Sequence, residues 1–553
     1  MNKRSRTGLG LLCTIFIISS LGCQRNAASF EEFSAEAGID FLYNFGDYTY
    51  ENILESSGSG VTVFDYDGDG WMDLYMMNGT WLEGISDEEG RVFENTPNQL
   101  YRNLGDGTFE ELGEMAGVDD QHWSMAAGPI DIDLDGDLDL YLLNYGPNRF
   151  YLNQGDGTFV DVAEDLGLVG PDSLNGYEKW SVGVSFWDYN RDGLLDAFVG
   201  NFLAFDPEYV SPTHPDMMPH PAEYRGQASL MYEQQADGTF KDVTASLGMF
   251  YPDSKCMGIT VWDYDRDGDL DMFQGNDHQA NFMFRNDEGS FSEVAVEIGV
   301  AVNSHGQTTG SMHGAIGDVD GDGLIDLLVP DLRYGALYRN KGQGTFEDIT
   351  EQSGIAAAFG GLGQWATALF DYDNDGDLDL FAANGNGEEL ILQYPLLMEN
   401  NGEGKFQDVG KRVSPYFSEK RSGRAAATWD YDNDGDLDLI ISHVDLKARA
   451  VLLKNNCNNK NHWLGLTLEG REGQASAIGA TVLVHRKKES AVYVNQWTNT
   501  YLSNSDPRLH IGLGKDPHIE RIEILWSDGT REVYPGPSVD QYLTFRQGYG
   551  IVD

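Results

Sequence analysis

The chain has 553 residues, of which 90 are acidic and 36 basic, a formal net charge of −54. Carboxylates in such excess exclude binding to a phosphate backbone, which needs clustered Lys and Arg, and suit a chain that gathers cations or meets neutral or cationic partners. The hydrophobic share of 41% is ordinary for a globular protein, and the length calls for several domains or for repeats.

At the N-terminus, Lys3, Arg4 and Arg6 precede the apolar run LGLLCTIFII, which is too short to span a bilayer. The following SSLGC resembles a bacterial lipobox, so residues 1–22 are expected to be a signal peptide and Cys23 the lipidated residue. Ser20 stands where that motif usually has Leu, and a plain signal-peptidase site is the alternative. The expected location is extracytoplasmic, as a cell-envelope lipoprotein or a secreted protein, with a lipid anchor as the sole membrane attachment. Cys256 and Cys457 are left as a candidate pair, although two unpaired buried thiols are the plainer expectation.

From residue 65 the chain repeats one acidic loop. DYDGDGWMD places Asp65, Asp67, Asp69 and Asp73 at positions one, three, five and nine, with Gly70 at six. The pattern returns with Asp131, Asp133, Asp135 and Asp139, then with Asp188, Asn190, Asp192 and Asp196. It continues with Asp263, Asp265, Asp267 and Asp271, and with Asp318, Asp320, Asp322 and Asp326. Asp371, Asp373, Asp375 and Asp379 form the sixth copy, and Asp430, Asp432, Asp434 and Asp438 the seventh. Calcium takes about six to eight hard oxygen ligands, and alternate positions of a tight loop aim carboxylates at one centre. The Gly at position six permits the turn that brings the ninth residue back. Position twelve holds Met76, Leu142, Val199, Gln274, Val329, Ala382 or Ile441, where an EF-hand needs Glu. The expectation is up to seven calcium ions, with the third loop weakest because Asn190 replaces Asp beside Arg191.

Each loop lies between two apolar strands, A and B, and a Gly-rich hairpin such as LYRNLGDGTFEEL joins strands C and D. Phe109, Phe159, Phe240, Phe291, Phe346 and Phe406 open six D strands, and the seventh repeat stops after ARAVLLKNN. The orphan segment SFEEFSAEAGI (29–39) matches TFEDITEQSGI (345–355), so the N-terminal strand is expected to complete the last unit. The predicted fold is all-β, a closed seven-bladed β-propeller over 29–454. A small β-sandwich-like domain is expected over 455–553, where strands alternate and no acidic loop occurs.

The repeats resemble the FG-GAP and VCBS calcium repeats of integrin α propellers. The tail NHWLGLTLEG…AIGATVLVHRK…TNTYLSNSDPRLHIGLG…IERIEILWSDG resembles the ASPIC/UnbV domain. Together they are similar to the cartilage acidic protein family over nearly the whole mature chain, which implies calcium binding and extracellular placement. Relatives of this kind often carry cysteines in the long insertion of the third repeat; FDPEYVSPTHPDMMPHPAEYRG has none.

In an antiparallel four-stranded unit the A–B and C–D turns share one face, and the B–C and D–A connections share the other. Function is expected on the connections, which include the long stretches 79–98 and 202–229. Asn78, Asn144, Asn201, Asn276, Asp331, Asn384 and His443 stand five residues after each ninth-position Asp. They form either a polar ring for a sugar or simple strand-end turns. Asp277 and His278 are added as ligand-binding candidates, and His122, Trp123, Tyr177, Trp180, His214, His220, His313 and Trp365 lie in the same connections. A transition-metal set of His214, His220 and His278 lacks tight ligand spacing. The expected role is a calcium-binding, envelope-tethered, monomeric binding or adhesion module for a glycan or an extracellular protein, with no nucleic acid partner. The alternative is a calcium-dependent propeller enzyme, a lyase or hydrolase of polysaccharide, using Asp277 with His278; GxSxG, HExxH and phosphate-loop motifs are absent.

Overall fold

The computed structural model describes residues 30–552 except 333, 388, 458, 472–476 and 488–489. The signal segment and Cys23 lie outside the described residues. Strands dominate, and six of the D-type strands run into a single helical turn, as at Gly113–Ala116 and Ala295–Ile298. The turn stops at a left-handed glycine in five of them: Gly38, Gly117, Gly167, Gly299 and Gly354. The glycine of AGI, AGV, LGL, IGV and SGI after these D strands is therefore a helix stop.

The repeats fold into seven four-stranded antiparallel units in the order A-B-C-D. The first comprises Val61–Phe64, Asp73–Met76, Gln99–Asn103 and Phe109–Glu111. In the last, Gly423–Trp429, Asp438–His443 and Val451–Asn455 are completed by the N-terminal strand Phe30–Glu32, with Phe30 opposite Asn455. The A strands Val61–Phe64, Trp123–Ile130, Ser181–Trp187, Cys256–Trp262 and Gly423–Trp429 are buried along their whole length. Such continuous apolar runs are what a strand covered on both faces requires.

One amide joins each sheet to its neighbour. At the end of strand C stand Asn103, Asn153, Gln234, Asn286, Asn340, Asn400 and Asn455. Each donates its side-chain N–H to the second-position carbonyl of the adjoining sheet's acidic loop, at 2.7 to 3.4 Å. Asn103 of the first sheet reaches Tyr431 of the last.

Residues 462–552 form two further four-stranded sheets around a core of Leu464, Leu466, Val482, Ile522, Ile524 and Phe545. A hairpin leaves this sandwich and enters the repeat unit. Thr498–Thr500 pairs with Ser503–Asn504, which in turn pairs with Val61–Phe64, Asn504 lying parallel to Thr62. Thr498 donates to the Val184 carbonyl at 3.1 Å, and Thr500 and Asn504 donate to those of Ala426 and Ala127. The hairpin also touches the A strands Cys256–Trp262, Ala315–Gly317 and Gln364–Phe370, so it meets the inner strand of every sheet. Tyr501 and Leu502 at its tip belong to the main hydrophobic core, Tyr501 edge-on to Trp365. Cys256 and Cys457 are free thiols.

Candidate metal centres and ligand pocket

Each acidic loop is wound by its own side chains. The first Asp accepts the N–H of position six in all seven copies, from Gly70 on Asp65 at 2.8 Å to Gly435 on Asp430 at 2.8 Å. The fifth accepts the N–H of position seven, as Trp71 on Asp69 at 3.0 Å. The ninth, buried at the start of strand B, accepts two backbone N–H groups: Asp73 takes those of Tyr66 at 3.0 Å and Asn103 at 2.8 Å. This carboxylate therefore anchors the loop to strand C, beside the amide that bridges to the next sheet.

Position four, unremarked in the sequence, is left-handed in every copy: Gly68, Leu134, Arg191, Arg266, Gly321, Asn374 and Asn433 all have positive φ. Four of these side chains reach the sixth-position carbonyl of the next loop: Arg191 to Gly268, Arg266 to Gly323, Asn374 to Gly435 and Asn433 to Gly70.

In at least five loops, ligand atoms of positions one, three and nine lie within 4.8 Å of one another: Asp65/Asp67/Asp73, Asp131/Asp133/Asp139, Asp263/Asp265/Asp271, Asp318/Asp320/Asp326 and Asp371/Asp373/Asp379. Third-position oxygens decide whether a cation fits. Asp67, Asp320 and Asp432 each give one oxygen to a basic residue of strand C (Arg102, Arg339 and Lys454), while their Oδ1 is buried and accepts no hydrogen bond. A buried, unsatisfied carboxylate oxygen inside a carboxylate cluster calls for a positive ligand. Burial first, then the neighbouring carboxylates, pushes Asp131 up to about 6, Asp326 up to about 8, and Asp379 and Asp438 well above the usual range. A hard divalent ion fits this all-oxygen set.

The opposite face carries a pocket of about 840 Å³. It is built from B–C and D–A connections and includes His220, His278, Asp331, Tyr334, Asn386 and Gln393. Of the strand-end residues only Asp331 lines it. Asn78, Asn144, Asn201, Asn276 and Asn384 are at most 3% exposed. Their amides hold connection carbonyls: Pro97, Pro147, Ala228, Ala280 and Tyr394 respectively. His443 is likewise buried, between the Arg449 carbonyl and Tyr416. The expected polar ring is therefore a set of internal braces, because a strand-end amide satisfies the nearest unpaired carbonyl before it can face a ligand. Trp123, Trp180, His313 and Trp365 are buried in the core, and His214 Nδ1 is bonded to the Thr213 hydroxyl.

A family model described as an FG-GAP-like repeat matches residues 91–142, 131–199, 263–329, 318–382 and 371–441, together more than half of the chain, and one described as ASPIC and UnbV matches 470–551. Cartilage acidic protein 1 of Homo sapiens is 22% identical over 487 residues, covering 86% of this chain, and that of Xenopus tropicalis is 29% identical over 309 residues, 44% of this chain. The chain belongs to the cartilage acidic protein family. It spans 60% of the length of the human relative and 46% of the frog one. Three pairs of neighbouring FG-GAP matches overlap across an acidic loop, and every match but the first begins on the first Asp of one. Among solved structures, an Agrocybe aegerita lectin that recognises non-reducing terminal N-acetylglucosamine aligns with a TM-score of 0.38 and 16% identity, covering 66% of this chain and 89% of that one. BBS1N, from its complex with ARL6DN, aligns at 0.42 and 9%, covering 76% and 99%. Among the described residues of this FG-GAP/ASPIC chain, no helix is long and apolar enough to cross a membrane.

Proposed function

We propose that this FG-GAP/ASPIC chain is an extracytoplasmic binding module: a closed seven-bladed β-propeller, stabilised by calcium in its acidic loops, that presents the opposite face to a glycan or an extracellular protein. The observation that carries the binding role is the pocket of about 840 Å³ on the connection face, which is large enough for one or two sugar rings. Support for closure comes from the hydrogen bond that the Asn103 side-chain amide donates to the Tyr431 carbonyl, which joins the first and last sheets as the other six join their neighbours. Support for calcium comes from the all-oxygen clusters and the unsatisfied oxygens of Asp67, Asp320 and Asp432. A lipid anchor at Cys23 would tether the module to the envelope.

The test is a panel of polysaccharides and matrix proteins in calcium, with the supernatant examined for oligosaccharides. Retention of one ligand class, weakened in a Tyr334→Ala/Gln393→Ala double variant and without released fragments, supports the module. Fragment release turns the reading to a polysaccharide lyase or hydrolase. For that alternative Asp277, whose carboxyl is pushed up to about 7 by burial, is the first acid–base suspect.

A further inference from the structure

Asp277 and His278 are consecutive in the strand Asp271–Gln279, and in a regular strand their side chains would point to opposite faces. A register shift against Thr309–Gly310 interrupts the regularity between Asp277 and Gln279, and His278 takes a left-handed φ of 51°. The two side chains are thereby brought together, His278 Nε2 lying 3.6 Å from Asp277 Oδ1. Bulges that re-aim a side chain in this way recur beside functional sites.

A third donor faces them. A β-carbon placed on Gly310 would stand 3.0 Å from Asp331 Oδ1, 3.1 Å from Asp277 Oδ1 and 3.5 Å from His278 Nε2, so the three surround the space that this glycine leaves. Asp331 is held in place by the N–H groups of Gly310 at 2.7 Å and Leu332 at 2.6 Å. Asp277 is 2% exposed, and its Oδ1 accepts no hydrogen bond. Lys255, also buried, adds positive charge nearby, but its ammonium donates to the Pro221 carbonyl at 2.8 Å. The cluster therefore holds two facing carboxylates, one buried oxygen without a hydrogen bond, and an imidazole nitrogen.

We propose that Asp277, His278 and Asp331 bind a single first-row divalent ion of the zinc class, at the edge of the connection-face pocket. The edge of a tetrahedral site with bonds of about 2.1 Å is about 3.4 Å, close to the 3.6 Å between His278 and Asp277. The imidazole distinguishes this site from the all-oxygen loops, since nitrogen donors select zinc-class ions over calcium. His220 is not a ligand. Its ring packs 4.2 Å from that of His278, but its Nδ1 accepts the Ala222 N–H at 3.1 Å, which leaves the proton on Nε2 and makes that nitrogen a donor. With three protein ligands, the fourth position faces the pocket, where a ligand hydroxyl or carboxylate can complete the shell. The ion itself does not depend on calcium in the loops.

The experiment is zinc equilibrium dialysis and cobalt absorption titration on the full chain, with calcium in excess to saturate the acidic loops. One equivalent of zinc is expected, with a visible cobalt band. His278→Asn, chosen because Asn tolerates a left-handed backbone, and Asp277→Asn should each weaken binding by at least ~100-fold. Gly310→Ala, at an ordinary φ, should block the site without removing a ligand. Asp65→Asn should leave the zinc equivalent intact. An unchanged melting temperature in calcium certifies each variant as folded, and any that fails this check is set aside for the others. Absence of a calcium-resistant zinc equivalent, or its persistence in folded His278→Asn and Asp277→Asn proteins, overturns the proposal.

Discussion

Acidic loops one and seven share six of nine residues, DYDGDGWMD and DYDNDGDLD, including all four aspartates and the sixth-position glycine, yet they have different surroundings. The C-terminal sandwich covers loops six and seven. Tyr542 donates its hydroxyl to Asp430 at 2.6 Å, Arg508 donates to the Asp430 carbonyl at 3.1 Å, and Trp463 packs against Gly435. On loop six, the Gly512 backbone lies against Asp371 and His510 bonds Asn374 at 2.6 Å. Loop one meets no such cover: a β-carbon on Gly70 would touch nothing within 4 Å. One loop pattern thus serves as an open cation cradle in one place and as a docking surface in another, and what surrounds it decides which.

The largest effect should come from removing calcium. Two like charges 4 Å apart at an effective dielectric near 20 repel by about 4 kcal/mol, and each loop gathers several carboxylates. Chelation is expected to lower the melting temperature by more than ~10 °C, and calcium should leave loops six and seven last. An unchanged melting curve would sink the calcium reading; simultaneous release from all loops would erase the contrast between covered and open copies. Next is Tyr501→Ala at the hairpin tip. Deleting this fully buried ring should cost about 3–5 kcal/mol and loosen the sandwich from the repeats, measured by denaturant unfolding and limited proteolysis. A loss below about 1 kcal/mol would mean that the hairpin is not part of the common core.

Two glycine substitutions sharpen the comparison further. Gly70 and Gly435 have φ of 86° and 87°, so alanine at either carries the same left-handed penalty of about 1–2 kcal/mol. At Gly435 the new methyl would also stand 1.9 Å from Trp463 Nε1 and displace the ring. Gly435→Ala should therefore cost clearly more than Gly70→Ala and expose Trp463 to fluorescence quenchers; equal costs would show that the cover adds nothing.

The smallest effect is one of pH and lies beneath the connection face. His313 is buried, bonds the Thr367 carbonyl at 2.9 Å through Nε2, and has its Nδ1 unpartnered; burial lowers its pKa to about 4. Between the unfolded value near 6.5 and the folded value, the unfolded chain binds more protons, so stability falls on acidification through that window. The loss attributable to His313 at pH 5.5 is about 1 kcal/mol, and His313→Gln should remove that slope in calcium. A slope identical to wild type would reassign it to other groups.

Much of this architecture was legible because it repeats. Seven acidic loops, alternating strands and the match of SFEEF to TFEDI led to the four-stranded units and to an N-terminal strand that completes the last of them, although the register of Phe30 opposite Asn455 is seen only in the structure. The bridging amides were equally visible as the Asn or Gln before each Gly hairpin (LYRN, FYLN, MYEQ), but their role emerges only when two sheets lie side by side. Position four was hidden because Leu134 and Arg266 give no hint of positive φ. The hairpin could not be foreseen: Tyr501 meets residues more than a hundred positions away, and TNTYLSN has the composition of an ordinary surface turn. The strand-end asparagines misled because a turn-former and a ligand group share one residue type. His278 was picked out, yet only the irregular strand around it explains why it faces Asp277.

The pairing of Phe30–Glu32 with Val451–Asn455 imposes an order on biosynthesis. The first strand among the described residues is an edge strand whose partner arrives some four hundred residues later, and the hairpin at 498–504 later still. Early sheets can form as they emerge, but Phe30–Glu32 waits unpaired until Val451–Asn455, its partner in the last sheet, has appeared. The nascent protein therefore spends most of its synthesis unfinished, and holding that first segment apart from other partners until residue 455 has appeared becomes a task for the cell.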